Sequence, residues 1–205
     1  MSTALLPSAS IASTPGVLST IRDAACNLSI WQRDNLEGLD ALLDSSPSDI
    51  RLTAKLEGLG ANLFAALKAH GFTARKTSER LVADILQLAD LYCKAMGLDA
   101  LEVRLEVVTT NSCRKWHSDY VSARLITTYV GSGTQWLDGV DAQRVKQGQD
   151  PLHINTMSTG DVGLFKGKLA TTLPAIHRSP PIYGTGETRL LLVFNPPEAN
   201  ADADI

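Results

Sequence analysis

The stretch Cys113-Arg-Lys-Trp116-His117-Ser-Asp119-Tyr-Val-Ser-Ala-Arg124-Leu-Ile-Thr-Thr128-Tyr129-Val-Gly131-Ser-Gly133-Thr134-Gln-Trp136 decides the fold of this 205-residue chain. His117 and Asp119 are two apart, and in an extended chain residues i and i+2 point to one face. An imidazole and a carboxylate so placed can grip one metal ion from two sides. The run Val121 to Val130 alternates in parity and is rich in β-branched residues, so it reads as a strand. Glycines 131 and 133 turn it, and Trp136 closes the stretch with a residue suited to burial. Working outward, the candidate third ligand is His177, in Pro174-Ala-Ile-His177-Arg-Ser-Pro-Pro. Two histidines and one carboxylate make the facial triad that binds non-haem Fe(II) and leaves positions open for substrate and oxygen.

Upstream, the texture is helical. Residues 17–31 end in a short strand, because Leu28 and Ile30 share a parity. Residues 34–44 read as a short helix. Ser46-Pro47-Ser48-Asp49 reads as a helix start, with Ser46 as cap and Pro47 at the first helical position. Leu52, Leu56, Leu59, Leu63 and Leu67 then follow at helical spacing, and Gly71 ends the helix. A second helix is expected from Ser78, with Leu81, Val82, Ile85, Leu88, Leu91, Tyr92 and Met96 as its stripe and Gly97 as its stop. Both helices are expected to lay one apolar face on a β core.

From residue 100 the pattern changes to strands. Leu101-Glu-Val-Arg-Leu-Glu-Val-Val alternates, and residues 152–154, 161–166, 175–178 and 189–194 are short and β-like between glycines. Residues 138–150 are polar and read as a surface loop or short helix. Short strands with glycine-rich turns point to a barrel or sandwich. The expected organisation is a loose N-terminus over 1–16, a mainly helical part over 17–99, a β metal-binding half over 100–195 and a disordered tail over 196–205.

A net charge of −3 gives no electrostatic reason to expect nucleic acid or an acidic membrane surface. Three cysteines, at 26, 93 and 113, without a CxxC do not form a disulfide framework and point to a reducing cytoplasm. The first sixteen residues hold no Lys or Arg, so the positive region of a secretory signal is missing. No apolar run reaches bilayer-spanning length.

The order of these motifs resembles the Fe(II)- and 2-oxoglutarate-dependent oxygenases, particularly the prolyl-hydroxylase-like branch, over residues 113–195. The resemblance rests on His117-Ser-Asp119, Thr128-Tyr129, Gly133-Thr134-Gln-Trp136, Gly160-Asp161, and His177 followed twelve residues later by Arg189. It implies an α+β chain whose N-terminal helices pack on a double-stranded β-helix of the jelly-roll or cupin type. It implies Fe(II) held by His117, Asp119 and His177, with Arg189 clamping the distal carboxylate of 2-oxoglutarate. A guanidinium fork matches carboxylate oxygens in pairs. Thr128 and Tyr129 become candidates for a second contact to that co-substrate. They lie on opposite strand faces, so at most one points in. Trp116 and Trp136 flank the site as pocket wall. The whole chain also resembles a bacterial domain-of-unknown-function family, through Ile30-Trp31-Gln-Arg and the motifs above. Genes of that family often sit near zinc-allocation proteins, which implies a metal context.

Other readings stay open on sequence alone. Cys113, four residues before His117, could add a thiolate, and a Cys, His, Asp, His set would favour Zn(II). That is a zinc-binding or zinc-handling protein on a cupin-like barrel. A non-enzymatic ligand-binding barrel is a third reading. His117 with Asp119 could be a surface pair, and Arg189 could pair with Glu187 or Asp161. Cys26, Cys93, His70 and His153 receive no role. Substrate and oligomeric state are not written in the residues.

Overall fold

The structure, a computed structural model, describes residues 8–197. In chain order it forms β1 (Ser8–Ala12), β2 (Cys26–Trp31), β3 (Ile50–Lys55), α1 (Leu59–Ala69), α2 (Arg75–Met96) and β4 (Ala100–Val108). Then follow β5 (Ala123–Val130), β6 (Gln135–Trp136), α3 (Gly139–Lys146), β7 (Asn155–Thr156), β8 (Val162–Lys166), β9 (His177–Arg178) and β10 (Arg189–Asn195). The larger sheet has the order β1-β2-β8-β5-β10-β4-β3 and the smaller one β7-β6-β9. From β4 onward the chain passes repeatedly from one sheet to the other. Residue 117, which bridges β9, β6, β7 and β9 belong to the smaller sheet, while β4, β5, β8 and β10 belong to the larger.

Alternation gives each strand of the larger sheet two faces. Leu101, Val103 and Leu105 of β4, Leu125 and Tyr129 of β5, and Leu190, Leu192 and Phe194 of β10 share one buried cluster with α2 residues Leu81, Ile85, Leu88 and Tyr92. The Tyr92 and Phe194 rings lie 5.7 Å apart, and the Tyr92 hydroxyl donates to the Ala123 carbonyl at 3.1 Å. Positions one residue out of phase, Ile126, Leu191 and Val193, join a second cluster with Leu28, Ile30, Trp136, Met157 and Phe165. Covered on both faces, β10 is buried along all seven residues, which explains its nearly unbroken apolar run. Arg124, Thr128 and Arg189 share the parity of this second, inner face.

The N-terminal part departs from the expected run of helices: it gives β1, β2 and β3 to the larger sheet. The helix read from Ser46 is a strand followed by a shorter helix. Ile50 and Ala54 are buried and pair with Leu105 and Leu101 of β4, so backbone pairing overrides the helical spacing of Leu52 and Leu56. Asp49, offered as a helix-start residue, instead accepts the Val107 N–H at 2.7 Å. Gly58, at φ 85°, makes the left-handed turn from which α1 begins. Helix α2 starts at Arg75, three residues before Ser78, and stops at Gly97 in the left-handed region, φ 70°. Residues 34–44 hold only a 3₁₀ turn, Leu39–Leu42. Leu152 and Ile154 are exposed, and the nearby strand is the two-residue β7. β1 falls within the N-terminus read as loose; residues 1–7 and 198–205 lie outside the described residues. Among the described residues no helix is long and apolar enough to cross a membrane.

Helix α2 is locked to the sheet by a buried polar knot as well as by packing. Arg33 reaches both oxygens of Asp84, at 2.5 and 2.9 Å, and its Nε donates to the Gly160 carbonyl at 2.8 Å. The Tyr129 hydroxyl donates to Asp84 Oδ2 at 2.7 Å. Removing one member strands the others in a buried setting. Asp84→Ala is therefore expected to cost about 3–5 kcal/mol in urea denaturation; a loss under about 1 kcal/mol would show that the knot is not anchoring the helix.

Candidate metal centre

His117 is brought to the site by backbone bonding rather than by a long strand. Its N–H donates to the His177 carbonyl at 3.0 Å, and the His177 N–H donates back to the His117 carbonyl at 2.9 Å. In the same row, Trp136 of β6 pairs with His177. The two imidazole centroids lie 4.6 Å apart, and the Phe165 ring, from the larger sheet, packs 4.6 Å from His177.

Each imidazole has one nitrogen turned to a carbonyl. His117 Nδ1 is 2.8 Å from the Lys115 carbonyl, and His177 Nδ1 is 3.4 Å from that of Ala175. A carbonyl only accepts, so these contacts favour the proton on Nδ1 and leave the Nε2 lone pair free. His177 Nε2 lies 3.3 Å from Asp119 Oδ2, and His117 Nε2 lies 3.9 Å from Asp119 Oδ1. One donor atom from each of the three residues lies within 4.8 Å of the others.

Asp119 is 8 % exposed. Its Oδ1 accepts from Arg124 Nη1 at 2.5 Å, whereas Oδ2 has no hydrogen-bond partner. An unpartnered buried acceptor costs about 1–3 kcal/mol, and more when charged, which a bound cation would offset. Burial pushes the Asp119 carboxyl up, but the His177, Arg124 and His117 side chains outweigh it and hold it below the ordinary carboxylate range. Burial holds the His117 imidazole below its ordinary range against the opposing pull of the Lys115 carbonyl. The His117 direction favours the neutral imidazole that ligates, and the Arg124 cation beside Asp119 favours the ionised carboxylate. The donor set therefore fits one divalent ion with an incomplete protein shell.

The loop carrying Asp119 is seated by a glycine. Lys168 N–H donates to the Asp119 carbonyl and Gly167 N–H to that of Ser122, both at 2.9 Å. A Cβ at residue 167 would stand 2.1 Å from the Val121 carbonyl oxygen and 2.9 Å from that of Asp119.

Arg189, at the start of β10, is fully buried. Its Nε donates to the Ser132 carbonyl at 2.7 Å, Nη1 to Ser179 Oγ at 3.0 Å and Nη2 to Thr128 Oγ1 at 3.3 Å. All three acceptors are neutral, and no ion pair reaches Arg189 among the described residues. Burial accordingly lowers its pKa from the ordinary guanidinium value. Glu187 is taken by the Ser132 N–H and hydroxyl, and Asp161 by the Ser158 N–H, so neither pairs with Arg189.

The structure sorts the remaining candidates. Thr128 faces Arg189; Tyr129 is turned to α2 and spent on Asp84, which corrects its reading as a co-substrate contact. The alternation of β5 is the reason. Trp136 is buried in the inner cluster beside His177. Trp116 is not an inner wall: it alternates with His117 and lies beneath the Arg178 guanidinium, 4.2 Å from the ring centroid. It lines a separate surface cavity of about 500 Å³ with Arg114, Lys115 and Pro181. Cys113 is exposed and stands outside the donor group, so among the described residues no sulfur joins the three candidate ligands. Sequence reasoning passed over Arg124 and Phe165. Arg124 was findable, because it shares a parity with Ile126 and Thr128.

A family model described as a protein of unknown function, DUF1826, matches residues 12–195. The chain belongs to that family. No curated protein matches the sequence. Among solved structures, the DUF1826 chain is similar to the rice dioxygenase for auxin oxidation, with a TM-score of 0.49 and 12% identity over 92% of this chain and 82% of that one. The Arabidopsis thaliana dioxygenase for auxin oxidation, solved with 2-oxoglutarate, gives 0.47 and 10% over 92% and 91%. A Pseudomonas putida prolyl-4-hydroxylase gives 0.44 and 11% over 89% and 98%.

Gly167→Ala is expected to displace the Asp119 loop. It should cost about 1–3 kcal/mol in denaturation and weaken metal binding in a calorimetric titration. Wild-type stability and affinity in that variant would show that the close approach of the 119–122 loop to the end of β8 has no bearing on the ligand.

Proposed function

We propose that this chain is a mononuclear non-haem Fe(II)- and 2-oxoglutarate-dependent oxygenase built on a double-stranded β-helix. The observation that carries the reading is the convergence of His117, Asp119 and His177, with one carboxylate oxygen buried and unpartnered. The alternation of the chain between two facing sheets supports the fold, and Arg189 supports the co-substrate. A buried guanidinium held only by neutral oxygens has its charge in hand for a carboxylate.

In this reading the two Nε2 atoms and Asp119 Oδ2 hold the ion. Arg189 binds the distal carboxylate of 2-oxoglutarate, and Ser132, Thr128 and Ser179 keep its fork in one orientation. Ile126, Trp136, Phe165 and Leu191 supply an apolar inner wall that excludes water from the reacting groups. Fe(II) with 2-oxoglutarate and O₂, when bound, supplies the oxidising power, giving succinate, CO₂ and an oxidised substrate. A closed zinc site with sulfur is not favoured, because Cys113 lies outside the ligand group.

Two experiments test the reading. His177→Ala is expected to abolish Fe(II) binding in anaerobic calorimetry, and an unchanged affinity would remove the triad. Arg189→Ala is expected to weaken 2-oxoglutarate binding about tenfold or more while the Fe(II) affinity stays at the wild-type value. The visible charge-transfer band of the chelated 2-oxo acid is the readout. Equal 2-oxoglutarate affinity in the variant and the parent would exclude Arg189 as its anchor.

A further inference from the structure

The carboxylate of the candidate triad is tied to the larger sheet by a row of side chains that the proposed reaction does not itself use. In the pairing of β10 with β4, Asn195 stands opposite Glu102. In the pairing of β10 with β5, Phe194 stands opposite Leu125, which brings Asn195 level with Arg124. Arg124 Nε donates to Asn195 Oδ1 at 2.7 Å, and Asn195 Nδ2 donates to Glu102 Oε2 at 3.0 Å. Glu102 in turn pairs with Arg51 of β3 at the sheet edge. Asn195 and Glu102 are both buried. At the other end of the row, Arg124 Nη1 holds Asp119 Oδ1 at 2.5 Å.

Nothing intrinsic to an aspartate decides which oxygen faces an ion, because its terminal torsion is broad and two-fold. Here the choice is made from outside. A guanidinium is a rigid planar fork, so fixing Nε on Asn195 also fixes the direction of Nη1. We propose that Arg124 is a positioning residue that occupies Asp119 Oδ1 and presents Oδ2 alone to the metal ion. The inference rests on the triad reading of the preceding section, and it concerns how the carboxylate is held rather than whether it ligates.

The sign of the effect separates positioning from simple charge. A cation beside a metal site repels the ion, so if Arg124 acted only through its charge, neutralising it would tighten binding. If it acts by fixing the carboxylate, disturbing its geometry weakens binding while the charge stays. Arg124→Lys keeps the charge and loses the fork. Asn195→Leu keeps Arg124 whole and removes its anchor, together with the bond from Asn195 to Glu102.

The test uses the full-length chain with Co(II) as the probe ion, read by calorimetry and by the visible absorption of the bound ion. Arg124→Lys is expected to weaken Co(II) binding about 10–100-fold, the range seen when the partners of metal ligands are removed, and to change the absorption envelope. Asn195→Leu is expected to shift both readouts in the same direction by a smaller factor, and it carries the test alone if the lysine variant does not fold. Wild-type affinity and spectrum in the folded variants, or tighter binding, would overturn the role. Asp119→Ala is the control: if it binds Co(II) as the parent does, the triad itself fails, and that result is distinct from a failure of Arg124 with Asp119 still essential.

Discussion

The centre depends on two backbone hydrogen bonds, the reciprocal pair between His117 and His177 at 3.0 and 2.9 Å. They join residues sixty positions apart, and neither side chain takes part. A reciprocal antiparallel pair sets its two side chains on one face at close range. That is why the imidazoles end 4.6 Å apart without needing a contact of their own to hold them. His117 lies in no named strand, so its placement rests on this bridge and on the Nδ1 contact to Lys115.

The three candidate ligands come from two supports. Both histidines belong to the smaller sheet through the bridge and its continuation to Trp136. Asp119 is held from the larger sheet, by Arg124 of β5 through its side chain and by the start of the loop after β8 through its backbone. A centre at the seam between two sheets is sensitive to how they pack. Phe165, reaching from β8 onto the His177 ring, is one of the side chains that set that spacing. Gly167, where a Cβ has no room, is another determinant of the same seam.

Much of the inner face was legible from alternation. The opposite faces of Thr128 and Tyr129 follow from a period of two. The rest was set by pairing partners, which one-dimensional patterns do not contain. Leu52 begins a row of leucines at helical spacing, yet Ile50–Lys55 becomes a strand because β4 offers it a hydrogen-bonding edge. Trp116 was read as pocket wall from its nearness to His117 in sequence, yet adjacent residues of an extended chain face opposite ways. Parity places Arg124 on the inner face with Ile126 and Thr128, but does not give its partners. Its significance lies in a register between β5 and β10, fixed only once the strands are paired.

The two inner-face arginines show how one residue type can serve unlike ends through its partners. Arg124 faces a carboxylate on one nitrogen and an amide oxygen on another, so its charge is already answered inside the protein. Arg189 is more deeply buried and meets only a carbonyl and two hydroxyls. Neutral oxygens satisfy its N–H groups without cancelling its charge, which leaves a desolvated cation costly unless an anion arrives. In the proposed reading, exchanging these environments would ruin both roles: an internal carboxylate at Arg189 would compete with any incoming acid, and neutral partners at Arg124 would leave Asp119 free to turn. The proposed division between an arginine that holds a candidate ligand and one that would receive an anion is therefore written in the acceptors around them, not in the arginines themselves.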